Sequence, residues 1–372
     1  MKETIKINNT HVRRLYNGTF HEKVLPIVYE KISSFFDNEI VSNQLKSINK
    51  SDILLIKPNL GNARPPDTGC ITHPVVIRAI VDYIIKNFNR KKPTFICETN
   101  TYHKGPGIYE IIKNVSPSEQ RFLNEKLKQK SLDTDMHNFG FELLLEMSGI
   151  KNLVQGYKSK GFNIDILNLS DLPVMDEDER EKIIHKTEQL LGNEVFPKRS
   201  IKRKLQKNIP NLSNDGKKIS LISLNVFKTH DEPKTYITGT MKNVALGLFP
   251  LYKAFMHKDL AKAIIYNYAL WKTICEESVF GIISGPYGQD SEGPIFGRTV
   301  DLPYIIAGPD LLEVDCIATM LAFGRKNLVS EVEPFKIGNG KVGQIPSNDE
   351  LEKLIQYNLG WEPYPYEKSN AT

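Results

Sequence analysis

Ile53-Leu54-Leu55-Ile56-Lys57-Pro58-Asn59 decides the fold. Four consecutive apolar residues without alternation are the mark of a strand covered on both faces, the environment of a parallel sheet. Pro58 stops the strand, and Lys57, placed directly after four buried positions, must lead its charge to a partner. The loop from Leu60 to Thr72 is punctuated by Gly61, Pro65, Pro66 and Gly69. Thr72-His73-Pro74 then opens a helix, with Pro74 suited to the first helical position and Val76, Ile77, Ile80, Tyr83 and Ile84 forming an apolar face. Thr94-Phe95-Ile96-Cys97 is the next strand and runs into Glu98-Thr99-Asn100.

Strand, helix and strand in this order predict a right-handed βαβ unit, with 53–56 and 95–97 as parallel neighbours and helix 74–86 crossing over. Ligands of open parallel sheets bind beyond the carboxyl ends of the strands. Lys57, Asn59, His73, Glu98 and Asn100 are therefore expected to face one crevice. For His73, helix capping or solvent exposure competes with that role.

A second centre lies further along. Ile219-Ser220-Leu221-Ile222-Ser223-Leu224 reads as another buried strand, followed by Asn225-Val226-Phe227-Lys228-Thr229-His230 and then by Thr238-Gly239-Thr240-Met241-Lys242-Asn243. Met241, Val244, Ala245 and Leu248 give the last stretch a helical apolar stripe, capped at Gly239-Thr240. Lys228 and His230 then sit beyond a strand end, and Lys242 and Asn243 in the first turn of a helix. A lysine there opposes the helix macrodipole unless an anion is near, so the arrangement predicts an anion site. The bland alternative is a Lys242 side chain that points into water.

The remaining pattern is ordinary. Pro26 to Phe36, Glu119 to Lys130, Phe139 to Met147 and His257 to Glu276 read as helices, and 162–167, 279–283 and 304–307 as strands. Acidic 176–181 and basic 198–204 read as a connector whose charges either face water or bridge one another. The loop from Gly285 to Gly297 is too rich in glycine and proline to be regular, and its glycines could bring backbone N–H groups to a ligand. No Gly-Lys-Ser/Thr follows, so it is not a phosphate loop of the Walker type. Asp315, among apolar neighbours on helix 311–323, needs a partner or caps a helix. The end of the chain, with Pro363-Tyr364-Pro365-Tyr366, reads as extended over the surface.

The fold class is α/β, with mostly parallel sheets and flanking helices, arranged as two α/β parts that enclose a cleft. Residues 1–170 form the first part with its βαβ unit, 171–218 a charged connector or insertion, 219–335 the second part, and 336–372 a tail. At 372 residues, 40% of them apolar and 25% charged, the chain has room for this and the composition of a globular protein. A net charge of +5 on 49 basic and 44 acidic residues argues against nucleic acid as the partner and allows a small anionic ligand. No run reaches membrane-spanning length and no apolar segment follows Met1-Lys2-Glu3, so no membrane role and a cytoplasmic location are expected. Cys70, Cys97, Cys275 and Cys316 are isolated from one another, which leaves no run for an iron–sulfur cluster.

The series Lys57-Pro58-Asn59, Thr72-His73-Pro74, Lys228-Thr229-His230, Lys242-Asn243, Glu292-Gly293-Pro294 and Asp310 with Asp315 resembles the string of motifs of the domain-of-unknown-function family DUF362. The resemblance spans about residues 50–325. It implies no particular activity, and some members of the family carry added ferredoxin-like segments that this chain lacks. Members often have an acid before Gly-Ile where this chain has Phe280, and its glycine loop is longer, which bears on Glu292. His230 and Lys242-Asn243 also bear a fainter likeness to the nickel-pincer lactate racemase group, where a lysine carries the cofactor and histidines move the proton.

Three functions follow as expectations. The first is an enzyme acting on a small phosphate- or carboxylate-bearing molecule. In it Lys228, Lys242 and His230 are catalytic, His230 as acid or base, and Lys57, Asn59, His73, Glu98, Asn243 and Glu292 bind the ligand. The second is a metal- or cofactor-dependent enzyme of racemase or redox type that uses His73, His230 and Glu98. The third is a non-catalytic sensor of an anionic ligand. Sequence alone decides neither substrate, metal or cofactor, nor oligomeric state.

Overall fold

The computed structural model describes residues 4–17, 22–37, 39–61, 64–88, 92–99, 115–128, 136–212, 216–230, 235–251, 253–276, 278–291, 293–294 and 297–361. Glu292, Asn100 and the end from 362 lie outside the described residues.

One large sheet organises the protein. Its strands are β1 (Thr4–Ile7), β2 (Thr10–Arg14), β3 (Ile53–Pro58), β4 (Thr94–Glu98), β5 (Ile164–Asn168), β6 (Ile219–Asn225), β9 (Val279–Ser284) and β12 (Tyr304–Gly308). They stand in the order β1-β2-β12-β9-β6-β3-β4-β5. The five from β9 to β5 are all parallel, while β12, β2 and β1 add antiparallel pairs at one side. β3 and β4 pair in parallel, Leu55 opposite Phe95, with the Pro74–Phe88 helix between them in the chain.

Alternation along each strand sorts its residues between two cores. Ile53, Leu55, Ile219 and Leu221 pack with the Thr240–Gly247, Leu260–Ile274 and Leu311–Phe323 helices. Leu54, Ile56, Ile222 and Leu224 pack on the other face with the Leu25–Phe36 and Pro74–Phe88 helices. From the centre the chain winds one way, β3 to β4 to β5, and then the other, β6 to β9. The strand order therefore reverses between β3 and β6, which pair from Ile53 and Ile219 to Pro58 and Leu224. That reversal is where doubly wound sheets open a crevice at their carboxyl ends. Strands from both sides of the 171–218 segment thus belong to one sheet.

A small second sheet caps this end, in the order β11 (Arg298–Asp301), β10 (Tyr287–Asp290), β7 (Lys228–Thr229), β8 (Ile237–Thr238). Its β10 corrects the reading of 285–297 as irregular throughout. The glycine at 288 serves close packing there, since a Cβ would lie 2.4 Å from Trp361 and 2.6 Å from the Phe227 carbonyl.

The charged segment forms the Glu177–Leu191 and Arg199–Lys207 helices, bridged by Lys202 to Glu188 at 2.8 Å. The stretch 363–366, read as extended, lies outside the described residues, and the chain before it is folded from 333 on. It makes the Glu333–Gly338 and Asn348–Glu352 helices, the latter opened by a Ser347/Glu350 capping box, and buries Trp361 against Phe227. None of the described helices is long and apolar enough to cross a membrane.

Candidate functional site

The carboxyl ends of β3, β4 and β6 carry Lys57, Glu98 and Asn225, the loop beyond β3 carries Asn59, and β7 carries Lys228. Lys57 is 1% exposed. Its Nζ donates to the Pro58 carbonyl (2.6 Å), to Glu98 Oε2 (2.8 Å) and to Asn243 Oδ1 (3.3 Å). Asn243, from the first turn of the Thr240–Gly247 helix, returns its Nδ2 to the Lys57 carbonyl (2.9 Å) and to Ser223 Oγ (3.2 Å). The helix can lie this close because residue 247 has no side chain. A Cβ there would meet Lys57 Cε at 2.5 Å and Nζ at 2.8 Å.

Lys228 is 2% exposed and donates to Asn59 Oδ1 (3.2 Å) and to the Cys70 carbonyl (2.7 Å). Asn59 Nδ2 donates to Asn225 Oδ1 (2.7 Å), whose own Nδ2 reaches the Thr238 carbonyl (3.3 Å). Asn59 thus ties Lys228 to Asn225 at the end of β6, while Lys57, 171 positions before Lys228, is held separately by Glu98 and Asn243. Lys242 is buried and, among the described residues, has one hydrogen bond, to Thr238 Oγ1 at 3.4 Å.

The structure adds Lys253, whose Nζ donates to Thr99 Oγ1 (2.8 Å), which in turn donates to the Gly247 carbonyl (3.1 Å). No local pattern marks Lys253, because its partner lies 154 positions away.

Charge is unevenly matched in this centre. Glu98 spends Oε2 on Lys57 and Oε1 on the Thr99 N–H, at 2.9 Å. Burial lowers the Lys228 amine to about 8, with the Lys57 charge adding to the effect and Glu98 opposing it. Burial likewise brings Lys253 to about 8. Lys242 lies well below the ordinary lysine range, first through burial and then through the charge of Lys228.

The start of the Thr240–Gly247 helix differs from expectation. Its N–H groups are taken by the protein's own Asp315, whose Oδ1 accepts from Thr240 N (2.6 Å) and Oγ1 (2.7 Å) and whose Oδ2 accepts from Met241 N (3.0 Å). A glycine at 239 has no side chain to cap with, so the cap comes from another helix, and a Cβ at 239 would lie 2.4 Å from that carboxylate. The helix terminus is therefore satisfied internally, and the positive character of the site rests on amines. Burial raises the Asp315 carboxyl to about 7 against the three hydrogen bonds that pull it down.

His73 caps the helix it opens, its Nδ1 accepting from Val75 N at 3.2 Å, and burial lowers it to about 4. Among the described residues no hydrogen bond joins it to the lysine network. His230 is 2% exposed, its backbone N–H donates to the Tyr236 carbonyl (2.7 Å), and its ring stacks on His257 with centroids 6.4 Å apart. Among the described residues no group of three or more His, Cys, Asp or Glu side chains is arranged to hold a metal ion.

Fold and site together define a doubly wound α/β protein with a buried lysine and amide centre at the switch point between β3 and β6. The chain belongs to the family described as Domain of unknown function (DUF362), which matches residues 54–166 and 210–320, more than half of its length. Both matched regions supply residues to the centre. Comparisons with curated proteins and with solved structures return no match.

Proposed function

We propose that this protein is a cytoplasmic enzyme that binds a small phosphate- or carboxylate-bearing molecule in a cleft at the carboxyl ends of β3, β4 and β6. One observation carries the reading. Three lysine amines, from Lys57, Lys228 and Lys253, gather around a single described carboxylate, Glu98, which is already bonded to one of them, and Lys242 lies beside Lys228. Buried charge is costly unless paired, and an anionic ligand would pair it. Asn59 and Asn243 hold Lys228 and Lys57 in place and so orient the ligand indirectly. His230 follows β7 directly and is buried, and an imidazole suits proton transfer near neutral pH.

Thermal shift against inorganic phosphate and a panel of phosphorylated and carboxylated metabolites tests the reading, since a ligand of the native state raises its melting temperature. Wild type should respond to at least one anion, and Lys228→Met should lose that response. Equal responses from the two proteins would end the proposal. Turnover of the responding compound that His230→Ala abolishes while binding survives separates an enzyme from a sensor.

A further inference from the structure

Lys242 differs from its three companions. Lys57 has three hydrogen-bond acceptors, Lys228 has two and Lys253 has one at 2.8 Å, but the partner of Lys242 is a hydroxyl at 3.4 Å. No carboxylate compensates it among the described residues, and it is 9% exposed. Its surroundings are fixed by the small sheet. Thr238, which Lys242 touches, sits directly opposite Lys228 in the β7–β8 pair, so both side chains leave the same face. A buried lysine held beside a second cation is the arrangement that keeps an amine uncharged and its lone pair free for attack.

We propose that Lys242 is the nucleophile of this site and forms an imine with a carbonyl compound that also bears an anionic group, which Lys228 binds. The inference rests on the anion-binding reading above and adds the substrate class to it. The Nζ lone pair attacks the carbonyl carbon, a C–N bond forms, and the carbonyl oxygen takes up a proton. That proton comes from the amine, and the hydroxyl then leaves as water with the second amine hydrogen, which creates the C=N bond. No oxidant or further reactant is consumed. The imine draws electrons from the adjacent carbon, and His230, two residues beyond Lys228, is assigned the proton transfer there.

The test is reductive trapping of the whole chain with sodium cyanoborohydride at pH 7, in the presence of pyruvate, 2-oxoglutarate or dihydroxyacetone phosphate. The first two report a carboxylate and the third a phosphate as the anionic group. Intact mass and peptide mapping should show one adduct at Lys242, in yield at least about tenfold above any exposed lysine, because an ordinary amine is almost wholly protonated at that pH. Lys242→Met should abolish the adduct and keep a cooperative melt, and Lys228→Met should reduce it about tenfold or more by removing the anion's partner. Absence of an adduct with all three compounds, or adducts that persist in Lys242→Met, would overturn the inference. Thermal shifts with the same compounds separate the two readings. A shift without an adduct leaves anion binding standing and removes the nucleophile, and the absence of both removes both.

Discussion

Lys57 and Asn243 grip each other at two points, the lysine's ammonium on the amide oxygen and the lysine's own carbonyl on the amide nitrogen, across 186 positions of sequence. The amide ties the β3 strand end to the first turn of the Thr240–Gly247 helix, and so fixes where Lys242, its neighbour on that turn, can reach. Asn243→Ala should leave the Lys57 carbonyl and Ser223 without this partner and cost about 1–3 kcal/mol by urea denaturation. The same variant should weaken the thermal response to anions. A change below about 0.5 kcal/mol would show that the grip is incidental.

Glu98→Gln keeps the shape of the side chain and removes the single described carboxylate among Lys57, Lys228 and Lys253. Breaking a buried ion pair from one side costs about 3–5 kcal/mol, so the unliganded variant should melt earlier than wild type. Added phosphate should then restore more stability to the variant than it gives to wild type. Equal gains in both proteins would mean that Glu98 is not the competing anion.

Gly247→Ala places a methyl group 2.5 Å from Lys57 Cε. Alanine is otherwise the better helix former, by about 1 kcal/mol. A net loss of about 1–3 kcal/mol from overpacking is expected, together with loss of the thermal response to anions. Unchanged or raised stability with intact binding would show that the helix can move away.

The depressed amines set a pH dependence whose sign can be worked out. Below about pH 8, Lys228 and Lys253 are protonated in both folded and unfolded states, and the cost of burying their charge is fully present. Between about 8 and the ordinary lysine value of 10.5 the unfolded chain binds the additional protons, so these two groups make stability rise with pH, each by at most about 1.4 kcal/mol per unit. Denaturant midpoints from pH 7.5 to 10 should give a smaller rise for Lys228→Met than for wild type. Anion binding should run the other way and weaken as pH climbs through 8. A parallel pH profile for variant and wild type would contradict the assignment.

The sequence made the middle of the sheet legible, because β3, β4, β6 and β9 are apolar runs that need no distant partner to be recognised. Lys57, Glu98, Asn59, Lys228 and Asn243 were legible as a group for the same reason, since topology places strand ends together. β1 and β2 were not, being short and partly polar, with the β12 partner of β2 some 290 residues downstream. Asp315 was legible as a residue that caps a helix, but not which helix, because the Thr240–Gly247 helix lies 75 positions before it. Lys253 shows the same limit. A lysine that looks like surface becomes part of a site through Thr99, which is distant in sequence and adjacent in space.

The adjacency of β3 and β6 has a consequence for the order of events during synthesis. Lys57 and Glu98 leave the ribosome well before the strand and helix that will cover them, because β6 begins more than 160 residues after β3 starts. Until that loop closes, the ion pair stands at an unpaired strand edge open to water, and closing so long a loop is entropically slow. Ribosome-bound nascent chains ending near residue 210 should therefore expose Lys57 to amine-labelling reagents, and chains extended past Gly247 should bury it.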